Sequence, residues 1–162
     1  MPASAPARTV LDLSYLLTHT SHVLATQMSA AMAEIGLTPR GYCVLLHALE
    51  AQRTQIELAE IADLDKTTMV VTLDDLEKAG LAERQPSSAD RRARSIAVTP
   101  AGQRAVAEGT KIADRVHRDV LEALPAAQRE VFTGALTQLV EGHLATPVES
   151  ARPVRRVRQS RS

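Results

Sequence analysis

The sequence has few of the residues that many fold and function classes require. It has no tryptophan, and aromatic residues make up only 2% of its 162 positions. This composition favours helices, because β-sandwiches and barrels are built from β-branched and aromatic side chains. The single cysteine, Cys43, excludes an intrachain disulfide and a cysteine-based zinc cluster.

Membrane and secretory signals are also lacking. No apolar run approaches the roughly 20 residues that a membrane-spanning helix needs. Residues 1–8 are rich in Pro and Ala and contain no apolar stretch typical of a signal peptide. We therefore expect residues 1–8 to be disordered and the protein to be soluble and cytoplasmic, with no membrane partner.

Charge of one sign is not in excess either, since 19 basic residues balance 19 acidic residues. The overall charge therefore gives no support to nucleic-acid binding, which must be argued from where the charges lie. No Gly-rich phosphate loop, nucleophile elbow or convincing acid–base pair is present. We expect a protein that is not an enzyme and that carries no cofactor.

Helical spacing dominates both ends of the chain. Apolar residues recur at helical intervals from Thr9 to Ile35, and Gly36 follows as a stop. A second helical region begins at Thr99-Pro100, is interrupted at Pro125 and continues to about residue 145. The apolar stripes of 9–36 and 100–145 are too long for a small domain to cover, so a second copy is the simplest partner.

Three short helices are predicted between these ends. Thr38-Pro39 starts the first, the capping box Thr54-Gln55-Ile56-Glu57 starts the second, and Asp65 caps a third that runs from Lys66 to Ala79. Two helices joined by so tight a turn indicate a helix-turn-helix. We expect Leu45, Leu49, Ile56 and Leu58, among others, to pack inward.

A predicted β-hairpin follows the third helix directly. Residues 81–85 and 95–99 have strand patterns, and an arginine-rich turn connects them. A hairpin in this position is a wing. The interpretation is a winged helix-turn-helix domain over residues 37–99, a helical dimerisation region at 9–36 and 100–145, and a disordered Arg-rich tail at 146–162.

At this point the sequence resembles the MarR family of winged helix-turn-helix transcriptional regulators, which are bacterial. The motifs that carry the resemblance occur in the family's order and spacing, at residues 37–39, 54–59, 64–68, 73–81, 90–94 and 98–102. The resemblance implies a homodimer whose first and last helices intertwine. It also implies binding to pseudo-palindromic double-stranded DNA, repression more than activation, and relief by a small-molecule effector.

The residues predicted to contact DNA lie on the third helix and in the hairpin. Lys66 and the hydroxyls of Thr67 and Thr68 suit phosphates or base edges, and Val71 suits a thymine methyl group. The resemblance implies that Arg92 enters the minor groove while Asp90 braces it. The remaining predicted DNA contacts are Arg84, Arg91 and Arg94. The alternative is that these side chains form an ordinary solvated surface.

The sequence departs from the family on this helix. The family often has a threonine-arginine pair where Val70 and Val71 stand, and a basic residue in place of Asp75. This favours readout of methyl groups and DNA shape over hydrogen-bonded base readout.

Other functions remain open from the sequence. Tyr15, His19, Tyr42 and His47 are candidates for an effector pocket, although Tyr42 fits a core position equally well. Cys43 suits a buried structural residue better than a redox sensor. His19 and His22 are a local pair, but a metal site needs further ligands from other helices, and we predict none. A metal- or redox-responsive regulator, or an interaction module that has lost DNA binding, are the alternatives.

Overall fold

The structure is a computed structural model that describes residues 12–86 and 94–148. Within these residues it contains α1 (Leu13–Ala33), α2 (Pro39–Glu50), α3 (Gln55–Ile61), α4 (Lys66–Lys78), β1 (Ala82–Pro86), β2 (Arg94–Val98), α5 (Pro100–Glu122) and α6 (Ala126–Glu141). The predicted fold class, mainly helical with a small hairpin after a helix-turn-helix, is confirmed.

The three short helices begin at the predicted caps. The Thr38 hydroxyl accepts a hydrogen bond from the Gly41 amide at 3.0 Å, and the Asp65 carboxylate accepts one from the Thr68 amide at 2.9 Å. At α3, Thr54 and Glu57 form the complete capping box. Each cap satisfies an amide that the first helical turn leaves without a backbone partner.

The first helix is shorter than predicted. It begins at Leu13, because the Asp12 carboxylate accepts the Ser14 amide at 2.8 Å as an N-cap. Residues 9–11, predicted to be helical, lie outside the described residues. The helix ends at Ala33, two residues before the predicted Ile35, and Gly36 then takes a φ of +66°, which favours glycine.

The core of the winged region lies between α2, α3, α4 and the hairpin. Its fully buried large side chains are Val44, Leu45, Leu58, Met69, Leu73 and Ile96. The predicted inward face of α4, which consists of Met69, Leu73 and Leu76, is confirmed.

Two residues predicted to pack inward are instead exposed: Leu49 is 40% exposed and Ile56 is 71% exposed. Helix α3 has only seven residues, about two turns, and Leu58 is its one buried position. An apolar pattern identifies which side of a helix faces the core. It does not show how much of that side a neighbour covers.

The hairpin is antiparallel, with Ala82 opposite Val98 and Pro86 opposite Arg94. Both strands are shifted by one residue from the prediction. The Ile96 amide donates to the Arg53 carbonyl at 3.1 Å, which joins β2 to the connection between α2 and α3. Residues 87–93, including Asp90, Arg91 and Arg92, lie outside the described residues.

Tyr42 on α2 joins two apolar clusters. It packs against the winged core and against a second cluster formed by Met32 of α1 with Ile112 and Ala113 of α5. Its hydroxyl lies 3.0 Å from the Thr110 hydroxyl. The tyrosine ring sits so close to Gly109 that a Cβ there would lie 2.6 Å from a ring carbon.

The described residues divide into two units between Asp119 and Val120. In the second unit, the Arg129 guanidinium donates to the Leu124 carbonyl at 3.0 Å beside Pro125, the predicted break. None of the residues of α6 is buried. Residues 1–8 and 149–162, which include most of the predicted Arg-rich tail, lie outside the described residues. In the described part of the chain, no helix is long and apolar enough to cross a membrane.

We predict that Gly109→Ala destabilises the protein. Alanine is about 1 kcal/mol better than glycine in a helix interior, but its methyl group would overlap the Tyr42 ring. Overpacking of this kind costs about 1–3 kcal/mol. Thermal and urea unfolding at one fixed protein concentration should show a net loss of stability.

Gly134→Ala in α6 is the matched control, because a Cβ at Gly134 meets nothing within 4 Å. It should leave stability unchanged or raise it by up to about 1 kcal/mol. Equal effects of the two substitutions would contradict the close packing of Tyr42 on α5.

Candidate nucleic-acid interface

The side of α4 opposite the core carries two of the predicted DNA contacts, Thr67 and Val71. Lys66 and Thr67 are exposed in the first turn, and Val71 is 54% exposed one turn later. Met69 and Leu73 are fully buried on the other side. Since a helix repeats every 3.6 residues, burying 69, 73 and 76 turns 67 and 71 outward.

The hydroxyl groups of Thr67 and Thr68, both in the first turn of α4, have different hydrogen-bonding states. The Thr68 hydroxyl donates to the Asp65 carboxylate at 2.6 Å, and together with the Thr68 amide it lowers the pKa of Asp65. The Thr67 hydroxyl has no side-chain hydrogen bond to any described residue. Thr67 is therefore the hydroxyl best placed to bind an external group, and Thr68 chiefly stabilises the cap.

The charges of α4 are partly neutralised by the hairpin. Arg84 on β1 lies between Asp74 and Glu77, with its guanidinium 2.8 Å from the Asp74 carboxylate and in contact with that of Glu77. Lys66 and Asp75 form no ion pair with the residues that the structure describes. A DNA contact by Arg84 stays a prediction, but its side chain already has protein partners.

The hairpin presents only part of its predicted set. Arg94 begins β2 and is exposed opposite Pro86. Asp90, Arg91 and Arg92 are outside the described residues, so their roles stay predictions.

A cleft of about 730 Å³ lies against the side of α4 that carries Thr67 and Val71. Its walls come from α1, the start of α2 and α4, and include Ser29, Arg40, Thr67 and Val71. Arg40 supplies a cation, and much of the remaining lining is small or apolar. Sequence reasoning missed this cleft, because three helices that are distant in the chain form it.

The four residues predicted for an effector pocket do not line this cleft. Tyr15 and His19 stack on α1 with ring centroids 5.5 Å apart, and both are exposed. The Nδ1 of His47 lies 2.9 Å from the Glu50 carboxylate. Tyr42 takes the core position that the sequence left as an alternative. Whether any of the four contacts an effector stays a prediction.

Cys43 is partly buried, and burial raises the pKa of its thiol, with the negative charges of Glu50 and Asp63 adding to the effect. A thiol with a raised pKa is mostly protonated at neutral pH and reacts slowly. Among the described residues, no three His, Cys, Asp or Glu side chains are grouped so that they could hold a metal ion.

Comparison with known proteins supports the resemblance found in the sequence. Residues 35–93 match the model of the MarR family. Among solved structures, the chain is similar to CouR from Rhodococcus jostii bound to p-coumaroyl-CoA, with 27% identity and a TM-score of 0.73 over 89% of this chain and 100% of CouR.

Two further structures extend the comparison. The transcriptional repressor CouR bound to a 23-mer DNA duplex is 26% identical, with a TM-score of 0.77 over 85% of this chain and 99% of that chain. A MarR family protein of Mycobacterium tuberculosis in complex with salicylic acid is 27% identical, with a TM-score of 0.66 over 86% and 99%. The resemblance to the MarR family is thereby confirmed, and the winged helix-turn-helix fold of the described residues is similar to the fold of these structures.

Proposed function

We propose that this protein is a sequence-specific DNA-binding transcriptional regulator, not an enzyme, and that it acts as a homodimer. The observation that carries the proposal is the exposed surface of α4, where Lys66 stands at the helix start and Thr67 and Val71 project from the side opposite the core, with the exposed Arg94 at the start of β2. The DNA-bound CouR structure, which has the same fold, supports it.

The start of α4 is the part that would meet the DNA backbone. A helix N-terminus carries unpaired amides and a partial positive charge, both of which attract phosphate. Lys66 adds a full charge and Thr67 an available hydroxyl. The pair supplies positioning contacts that fix α4 in the major groove.

Val71 would supply sequence discrimination. It is exposed in the second turn of α4 and has no polar atom, so it suits the methyl group of thymine. The neighbouring Val70 carbonyl and Asp74 are already occupied by Arg84. Readout in the major groove then depends more on apolar contact than on paired hydrogen bonds.

The wing would bind next to the groove that α4 occupies. Arg94, Arg91 and Arg92 are proposed to meet phosphates and a narrow minor groove, whose negative potential attracts guanidinium groups. Asp90 is proposed to brace Arg92, as the family resemblance implies.

Dimerisation is proposed from the apolar surface that each unit leaves exposed. On α6, Val131, Phe132 and Val140 are exposed, and on α1 so are Leu13 and Leu16. A second copy would cover these surfaces and would present two copies of α4. For the two α4 helices to enter successive major grooves, the half-sites must lie about 10 bp apart and form a pseudo-palindrome.

We propose repression, relieved by a small molecule. CouR is described as a repressor, and the relatives compared here bind p-coumaroyl-CoA and salicylic acid. Both ligands are aromatic and anionic. An effector of this class that favoured a different spacing of the two α4 helices would shift the population away from the DNA-binding form.

A redox- or metal-responsive regulator is a weaker second candidate, because Cys43 has a raised thiol pKa. An interaction module without DNA binding is the strongest competitor, and salt dependence separates it from a regulator.

Lys66→Ala should weaken DNA binding and reduce its dependence on salt. Each phosphate contact releases about 0.9 counterions, so losing one lowers the slope of log K against log salt by about 1. Fluorescence anisotropy with genomic fragments at several salt concentrations would measure this. Lys111→Ala, an exposed lysine of α5 paired with Glu108, is the control. Affinity that is flat with salt for the wild type would favour the interaction module.

Val71→Ala should reduce discrimination at one base pair of the operator found by genomic selection. Replacing the contacted thymine by deoxyuridine removes the same methyl contact from the other side. Each change should weaken binding by about 1 kcal/mol, near the value of a buried methyl or methylene group. Val71→Ala and the deoxyuridine replacement combined should weaken binding little more than either change alone. If the losses of binding free energy were fully additive at every thymine tested, the proposed contact would be ruled out.

Phe132→Glu should convert the dimer to a monomer, because it places a charge in the apolar surface of α6 that the second copy is proposed to cover. Analytical ultracentrifugation gives the mass, and circular dichroism checks that the helices persist. Thr137→Glu, on the side of α6 that carries Glu130 and Glu141, is the control and should stay dimeric. A wild-type protein that is monomeric at micromolar concentration would remove this part of the proposal.

A further inference from the structure

Among the described residues of the hairpin, Arg84 makes the most hydrogen bonds to α4, which is the proposed recognition helix. Its side chain is 24% exposed and lies along residues 70, 74 and 77, which share one side of α4. The guanidinium donates to the Asp74 carboxylate at 2.8 Å and to the Glu77 carboxylate, and it lies 3.5 Å from the Val70 carbonyl.

Glu77 on α4 also binds the main chain of Arg84. The Arg84 amide donates to one oxygen of the Glu77 carboxylate at 2.8 Å, while the guanidinium donates to the other oxygen. One acidic side chain therefore holds both the backbone and the side chain of β1. The strand residue is fixed in position and in orientation relative to α4.

This cross-link joins the hairpin to α4, in addition to the hydrogen bond that joins β2 to Arg53. A two-stranded hairpin is marginally stable alone, so its angle depends on what it packs against. Arg84 lies opposite Ile96 at the middle of the ladder. Directly opposed residues of an antiparallel pair share one face of the hairpin, and on that face Ile96 is buried in the core. Arg84 and Ile96 together fix the position of the two hairpin strands: Arg84 through its ion pairs, and Ile96 through apolar packing.

The charges also oppose a direct DNA contact by Arg84. If the guanidinium turned to a phosphate, it would leave the Asp74 and Glu77 carboxylates without their cation beside a polyanion. Unpaired acidic groups facing like charge are unfavourable. A guanidinium that bridges two carboxylates through its planar fork is therefore better satisfied where it is.

We propose that Arg84 is a positioning residue, which fixes the angle between the wing and the recognition helix through Glu77 and Asp74, and does not itself bind DNA. This inference rests on the proposed DNA-binding function. It assigns Glu77, an acidic residue on the recognition helix, a favourable role in binding a negatively charged partner.

The proposal is tested by whether removal of one negative charge from α4 weakens or tightens DNA binding. Glu77→Gln removes a negative charge from α4, so electrostatics alone would tighten DNA binding. If Glu77 positions the wing through Arg84, the same change should weaken specific binding, roughly twofold to fivefold for a partly exposed ion pair. Asp75→Asn is the matched control, because Asp75 is exposed on the same helix and pairs with no described residue. It should tighten binding or leave it unchanged.

Arg84 variants complete the experiment. Arg84→Gln should weaken specific binding without changing the salt slope, whereas loss of a phosphate contact would lower the slope by about 1. Arg84→Lys should restore binding only in part, since an ammonium group cannot bridge two carboxylates in one plane. A slope reduced by about 1 in Arg84→Gln, or tighter binding by Glu77→Gln, would overturn the proposal.

Amide hydrogen exchange separates this proposal from the proposed function, because it needs no DNA. Arg84→Gln and Glu77→Gln should each accelerate exchange of the β1 and β2 amides, and Asp75→Asn should not. A wild type that bound no DNA would remove the DNA-binding function and the role of Arg84 in it. A wild type that bound DNA, with exchange unchanged in both variants, would refute the positioning role alone.

Discussion

The burial of one side of α4 is the interaction on which the rest of the interface depends. Met69 and Leu73 are fully buried, and Leu76 nearly so. Burying an aliphatic side chain of this size contributes about 1.5–3 kcal/mol, so rotation of the helix about its axis would be strongly opposed. With that side fixed, the helical repeat turns Thr67 and Val71 outward, and Lys66 is exposed because it stands at the helix start. A binding surface with few charges is thus defined by an apolar core.

The same helix is held at two further places, which link it to the remainder of the first unit. Arg84 ties it to the hairpin, and α2 packs between it and the cluster that joins α1 to α5. Tyr42 contacts both apolar clusters and pairs with Thr110 on α5. A change in α1 or α5 therefore has a route to α4 through α2, and Val106 of α5 also lies in the same cluster as Leu73 and Leu76. Close packing transmits such shifts because interiors have little free volume.

The electrical neutrality of the chain is consistent with this arrangement. Acidic residues are not excluded from the recognition helix, because two of them are paired with an arginine of the adjacent strand. The proposed DNA surface then depends on local positive groups at the helix start and in the hairpin. Total charge describes steering and solubility, whereas a specific interface depends on which charges are already paired.

The sequence by itself determined the starts of α2, α3 and α4, the order of elements and the buried side of α4. Those features depend on groups within about four residues of one another, such as the Thr54–Glu57 capping box and the spacing of Met69, Leu73 and Leu76. Only the tertiary structure decided that Ile56 is exposed, that Tyr42 packs on Gly109, and that Arg84 pairs with Asp74 and Glu77. These outcomes join residues that the chain separates and that packing alone brings together, so no local pattern could have specified them.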